Sequence, residues 1–209
     1  MTSIVTDFIS VDPSPEFSRT INAYKQTVRD LVGNQIFLNE PPHMTAYLAR
    51  FVAGTDLSQS VVRLAESIPA PTLRTTGWHV FDADPMTGNR TLVVNFDEPS
   101  QSLLRSIQEQ IGSSLQGLYD PAATKQRYAE AWQHFAPEQR KAVETVGFPF
   151  WGAGWHPHFT IASISPLDWP TVADKLLPSP PSGEIVCPSL SQYRVIDGES
   201  HLIFSSDLR

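Results

Sequence analysis

Apolar and polar positions along this chain change period several times, and each change marks a predicted element. Residues 3–11, "SIVTDFISV", alternate and are rich in β-branched side chains, which predicts a strand. After the turn-rich "DPSPE", Phe17, Ile21, Tyr24, Val28, Leu31 and Val32 recur at helical spacing and predict a helix over 15–32, with Gly33 as its stop. "QIFLNE" (35–40) predicts a short strand leading into a double proline. "HMTAYLARFV" predicts a strand, and "DLSQSVVRLAESI" (56–68) an amphipathic helix. "TLRTTGWHVFDA" (72–83) and "NRTLVVNFDE" (89–98) predict two strands joined by the turn signal "DPMTGN". A helix over 99–117 follows, with Leu103, Leu104, Ile107, Ile111 and Leu115 on one side.

The second part of the chain repeats this order. "HFTIASIS" predicts a strand, "LDWPTVADKLL" (167–177) a helix, and a proline-rich loop leads to strands at "LSQYRVID" (190–197) and "SHLIFSSDL" (200–208). Trp78 follows His43 by 35 positions, and Tyr193 follows His158 by 35, so "WHVFD" and "YRVID" fall at one offset. This predicts one bilobal domain over residues 1–209, with duplicated strand–helix–strand–strand units at about 43–98 and 158–208. Residues 118–149 break the regularity and predict one or two mostly polar helices. They are expected to bridge or cover the lobes, with a lid over the site as the alternative.

Composition narrows the function classes. The 209 residues are 41% apolar and 18% charged, which suits a folded soluble protein and excludes wholesale disorder. Net charge is −7 and the 15 Lys and Arg are scattered, so no basic run offers a footprint for duplex DNA or long RNA. An anionic substrate would be short and received by a local site. One cysteine, Cys187, permits no intrachain disulfide, and no apolar stretch approaches the roughly 20 residues that span a bilayer. The opening "MTSIVTDFISVDPSPEF" lacks the pattern of a secretory signal. A cytoplasmic monomer that engages no membrane is the expectation.

The candidate chemistry lies in "PPHMTAYLARF" (41–51) and "GWHPHFTIASI" (154–164). In each, a proline precedes a histidine, an apolar residue and a threonine at the head of an apolar run. Residues two apart on a strand share a face. His43 and Thr45 therefore face one way with Met44 opposite, and His158 and Thr160 do the same with Phe159 opposite. If both polar faces line one cleft, the pair suits phosphodiester cleavage. Histidine, with an ordinary pKa of ~6.5, serves as either base or acid near neutrality. Threonine hydroxyls are neutral donors for non-bridging phosphate oxygens.

"PHMTAYLA" and "PHFTIASI" resemble the paired H-x-T motifs of the two-histidine (2H) phosphoesterase superfamily, which includes the bacterial 2′-5′ RNA ligase group and RNA 2′,3′-cyclic phosphodiesterases. The resemblance runs from the first strand through "HLIFSS" and is weakest over 118–149. It implies a bilobal α+β fold of pseudo-twofold symmetry, with an antiparallel sheet and flanking helices in each lobe and a cleft between them. It assigns catalysis to His43 and His158 and phosphate contacts to Thr45 and Thr160. It further implies a reaction that needs no metal or other cofactor, at a 2′,3′-cyclic phosphate or a 2′-5′ phosphodiester of a small nucleotide or RNA end. Which histidine is acid and which is base stays open.

Other residues carry weaker signals. His156, two before His158, suggests a same-face metal pair with His79 or His43 nearby, hence a metal hydrolase. Carboxylates at ligand spacing are missing, and Pro157 need not preserve the alternation. His79 and Arg194 are offset partners, and either could reach the cleft. Trp151 and Trp155, in "FPFWGAGW" (148–155), are candidates for stacking a nucleobase, against the commoner fate of anchoring a loop in the core. Cys187 reads as inert, and His134 and His201 as surface residues. A module that binds nucleotides or RNA without turnover is the competing function from a different class.

Overall fold

A computed structural model describes residues 3–209. The first strand, β1 (Ile4–Asp12), gives way to helix α1 (Pro15–Val32) at Ser14, whose hydroxyl accepts the Phe17 N–H at 3.3 Å. Pro15 suits the first helical turn because that turn has no use for its missing N–H. The helix ends at Gly33, whose φ of +77° favours a residue without a β-carbon.

Next come β2 (Met44–Val52), α2 (Ser58–Ser67), β3 (Thr72–Phe81), β4 (Arg90–Phe96) and α3 (Glu98–Leu115). The polar segment folds as α4 (Pro121–Arg127) and α5 (Pro137–Val146), separated by a 3₁₀ turn at Trp132–His134. The chain finishes with β5 (Phe159–Ile164), α6 (Trp169–Leu176), β6 (Ser182–Val186), β7 (Ser189–Ile196) and β8 (Glu199–Asp207).

The strands form two four-stranded antiparallel sheets, ordered β2-β1-β7-β8 and β5-β4-β3-β6. With their helices they make a bilobal α+β fold. Each sheet draws strands from both parts of the chain. β7 pairs with β1, and β3 pairs with β4, so the strand following α2 joins the sheet of β5 while the strand following α6 and β6 joins the sheet of β2. One apolar cluster runs through both lobes. It takes Ile9, Val11, Met44 and Phe51 from one sheet, Leu92, Val94, Phe96 and Phe159 from the other, and Leu104, Ile107, Ile111 and Leu115 from α3.

Four expectations are corrected. "QIFLNE" is a turn rather than a strand: Phe37 takes a φ of +71°, which ends extended pairing, and only Ile36 makes an isolated bridge, to Ser163. The proline-rich loop contains β6, because Ser182–Val186 are free of proline and pair with the outer side of β3. Leu103 is exposed, and Gln108 takes a place on the buried side of α3. Leu31 is likewise exposed, and the fully packed stripe of α1 is Phe17, Ile21, Lys25 and Val28.

Residues 119–146 cover the free edge of β2. Asp120 N–H donates to the Arg50 carbonyl at 2.7 Å, and the Thr124 hydroxyl accepts the Arg50 N–H at 3.0 Å. Backbone groups that an edge strand would leave open are thereby paired. A second small cluster, Tyr128, Phe135 and Val143, packs against Leu48 of the same strand. Among the described residues no helix is long and apolar enough to cross a membrane.

Candidate functional site

His43 and His158 stand immediately before β2 and β5, the edge strands at corresponding ends of the two sheets. Met44 and Phe159 are buried, while His43, Thr45, His158 and Thr160 are each half-buried. Both strands then break register at the same point. Ile9 pairs with Tyr47 and Ser10 with Thr45, leaving Ala46 as the extra residue; Leu92 pairs with Ala162 and Val93 with Thr160, leaving Ile161 extra. A bulge resets which side chains face inward. Two consecutive core residues, Ala46–Tyr47 and Ile161–Ala162, therefore follow each His-x-Thr. This is how a polar pair heads a strand whose remainder is buried.

The histidines are held in the same way. Nδ1 of His43 donates to the Pro41 carbonyl at 2.8 Å, and Nδ1 of His158 donates to the His156 carbonyl at 2.7 Å. A carbonyl only accepts, so each Nδ1 carries the hydrogen and each Nε2 is left for chemistry. Between histidine and carbonyl lies Pro42 or Pro157, whose ring restricts the backbone that forms this bond.

Aromatic side chains line both rings. His43 lies 4.9 Å from Phe8 and 5.6 Å from Tyr193, and Phe8 and Tyr193 stack at 5.0 Å. The Tyr193 hydroxyl donates to Asp12 at 3.3 Å, and Ser10 donates to the other Asp12 oxygen at 2.5 Å. Phe81 lies 5.2 Å from His158, and His79 stacks on His156 at 4.3 Å. The register makes Phe81 the spatial counterpart of Tyr193. Tyr193 is opposite Phe8, two residues from the partner of Thr45, and Phe81 is opposite Thr91, two residues from the partner of Thr160.

Trp78, at the matching sequence offset, instead packs on Tyr24 and donates its indole N–H to the Leu176 carbonyl at 2.8 Å. Arg194 is spent on the buried Asp7, with bonds of 2.8 and 2.9 Å, whereas His79 joins the aromatic layer beside His156 and Phe81. Phe8, Phe81 and Tyr193 thus line the candidate site, and sequence reading missed them. The signal was strand alternation carried across to neighbouring strands.

Burial pushes His43 down to about 4, helped by the positive charges of Lys25 and of His158 and opposed by the Pro41 bond. The two histidines therefore disfavour each other's protonation. His158 is also lowered, chiefly by burial, with the His156 carbonyl and the Asp84 carboxylate acting the other way. His156 is pushed down to about 4 by burial and by the neighbouring charges of His79, His158 and Arg105.

The metal-pair expectation fares poorly. The rings of His79 and His156 stack, so their in-plane lone pairs run side by side rather than converge. Among the described residues no three of His, Cys, Asp or Glu are placed to hold an ion. Trp155 is 4% exposed and belongs to the core, so it offers no free face to a base. Trp151 is half-buried, with its six-membered ring in the notch left by Gly112 and its plane edge-on to Tyr47. Cys187 is buried with its thiol pushed up by burial, and His134 and His201 are exposed.

No protein-family model and no curated protein matches this chain. Its likeness to known proteins lies in the fold. The protein TT0787 of Thermus thermophilus superposes with a TM-score of 0.59 at 15% identity, over 98% of each chain. Escherichia coli LigT complexed with NADP+ superposes at 0.52 with 14% identity, over 99% of each chain. A crystal structure described as a phosphoesterase gives 0.50 with 14% identity, again over 99% of each chain.

Proposed function

We propose that this chain is a two-histidine phosphoesterase acting on RNA ends or nucleotides, with hydrolysis of 2′,3′-cyclic phosphates as its reaction. The observation that carries this reading is the matched pair of Nδ1 hydrogen bonds, which leaves Nε2 of His43 and Nε2 of His158 as two proton-transfer atoms on corresponding strands. One imidazole, neutral at Nε2, takes a proton from water as the water oxygen bonds to phosphorus. The other, protonated at Nε2, gives its proton to the ribose oxygen as the bond from that oxygen to phosphorus breaks. Hydroxyls of Thr45 and Thr160 donate to the non-bridging oxygens, where charge builds in the transition state. Run with a ribose hydroxyl in place of water, the same site would make or cleave 2′-5′ phosphodiesters.

Charge movement within such a site is met by two imidazoles and two hydroxyls, so the reaction needs no metal. The fold likeness supports the substrate class: the LigT structures at comparable similarity are complexed with NADP+ and with ATP. The net charge of −7 favours a short substrate over long RNA.

The test is a screen of 2′,3′-cyclic nucleotides and of 2′-5′ and 3′-5′ dinucleotides, with and without chelator, resolving the phosphate position in the product. Opening of the cyclic phosphate in chelator, lost in His43→Ala and His158→Ala, is expected. Saturable nucleotide binding without any product would indicate the silent binding module instead. Activity abolished by chelator and restored by a divalent ion would point to a metal hydrolase at His156 and His158.

A further inference from the structure

The carbonyls that hold Nδ1 of His43 and Nδ1 of His158 are secured in different ways. Residue 41 is itself a proline, so its own ring sets φ, and Lys25 of α1 donates to the neighbouring Glu40 carbonyl at 2.7 Å. Residue 156 is a histidine, with no ring in its backbone. It follows a 3₁₀ turn at Gly152–Gly154 and then Trp155, whose carbonyl accepts Nε of Arg105 at 3.4 Å. Rotation about the N–Cα bond of His156 is left to its side chain to restrain.

No hydrogen bond does so at Nε2, which is buried without a partner among the described residues. Aromatic contacts hold the ring instead. It lies face to face with His79, centroids 4.3 Å and planes 29° apart, and edge-on to Phe81 at 5.5 Å. Phe81 also meets His79 at 4.7 Å and His158 at 5.2 Å, so the four rings form one nest. Burial lowers His79 and pushes His156 down to about 4, so near neutral pH the stacked rings carry no like charges to part them.

His79 is itself fixed by the sheet. It pairs with Val93, and Val93 pairs with Thr160, which puts His79 and Thr160 on one rung and one face. Its ring therefore joins the rung of Thr160 to the carbonyl that orients His158. The matching place in the other sheet, across Ser10 from Thr45, belongs to the buried Ser191, which has no ring to offer; there Pro41 restrains its own carbonyl.

We propose that His79 is a positioning residue for His158: by stacking on His156 it fixes the carbonyl that holds Nδ1 of His158 and so keeps Nε2 of His158 aimed for proton transfer. This rests on the two-histidine reading given above. His79→Ala removes the stack, and His79→Phe keeps a flat ring without its nitrogens. In each variant the neutral tautomers of His43 and His158 are read by ¹⁵N NMR above neutral pH, and kcat and KM are measured on a 2′,3′-cyclic nucleotide, with circular dichroism to confirm the fold.

In His79→Ala, the Nε2–H tautomer of His158 is expected to appear while His43 keeps its hydrogen on Nδ1. kcat should fall about tenfold, the scale of one oriented hydrogen bond lost, with KM little changed. His79→Phe should restore both the tautomer and kcat. An unchanged His158 tautomer in His79→Ala overturns the proposal, whatever happens to kcat, and so does a His79→Phe variant as impaired as His79→Ala. If the parent protein hydrolyses nothing, the two-histidine reading fails, and the tautomer alone decides whether His79 positions His158.

Discussion

Ala46 and Ile161 hold one structural position twice: each is the extra residue of a β-bulge, three places after a histidine that heads an edge strand. The first bulge is pinned by Gln108, which is fully buried on α3. Its side-chain amide donates to the carbonyls of Ala46 and Phe150, both at 2.9 Å, and its oxygen accepts the Gly152 N–H at 2.9 Å. Gln108→Met keeps the volume and strands three polar backbone groups. At about 1–3 kcal/mol for each buried group left unpaired, partly relieved by water, a loss of roughly 2–5 kcal/mol is expected in urea denaturation. Because the bulge aims Thr45, turnover should fall as well, and a variant that loses stability but keeps full turnover would detach the bulge from the site.

Replacing His43 or His158 by Ala should lower turnover by roughly 10²–10⁴-fold each, with circular dichroism unchanged. The pair acts in one step, so the double variant should fall little below the poorer single variant. Thr45→Val and Thr160→Val remove hydroxyls at unchanged shape and should cost about 10–10³-fold in kcat, with KM altered less. Steady-state kinetics on a cyclic nucleotide separate these effects, and a threonine variant changed only in KM would limit that residue to ground-state binding.

Much of this candidate site was legible in the sequence because strand alternation is a strong constraint: a histidine and threonine two apart must share a face wherever the strand is placed. What escaped depended on contacts between distant segments. Lys25 reads as a solvated position on an amphipathic helix, and only the turned-in carbonyls of Phe37 and Glu40 explain its burial. Phe81 replaced Trp78 as the counterpart of Tyr193 because strand register, which sequence offset does not fix, decides which residues are neighbours. β6 was hidden by its flanking prolines, which an edge strand tolerates at its ends. Trp155 followed the ordinary preference of a large aromatic for the core over a cleft.

The pH dependence follows from the lowered histidines. His43, pushed down to about 4, is neutral through most of the mildly acidic range, and His158, lowered by burial, gives up its proton below the ordinary value of ~6.5. Because both rings are lowered, kcat/KM should be bell-shaped and peak on the acidic side of ~6.5, whichever of the two is the base. Stability runs the other way. The unfolded chain binds protons at His43 and His156 near ~6.5, the folded chain only near about 4, so their contribution is complete above ~6.5 and is lost as the pH falls toward 4. Asp12, raised by burial, offsets part of this at the lower end. Urea midpoints measured between pH 4 and 7 should rise with pH, and a flat series would contradict the buried neutral state of these rings.

Arg194 and Asp7 tie the two parts of the chain together on the side of the sheet away from the histidines. The guanidinium bonds both carboxylate oxygens, and Gln192 donates to one of them at 2.8 Å, so Asp7, 1% exposed, is satisfied from β7 alone. Removing one member of such a pair leaves a buried charge without its partner, which typically costs 3–5 kcal/mol, about the lower limit of a small domain's whole stability. Arg194→Met should therefore destabilise strongly, and Asp7→Asn less, since the amide keeps one acceptor. Combining Arg194→Met with Asp7→Leu should recover much of the loss, because the charge and its obligation disappear together. The same β1–β7 pairing carries Phe8 and Tyr193, which flank His43 from the opposite face, so Arg194→Met should also loosen the setting of His43. A double variant that regains its urea midpoint but not its turnover would show that the ion pair sets the register of the site rather than merely its stability.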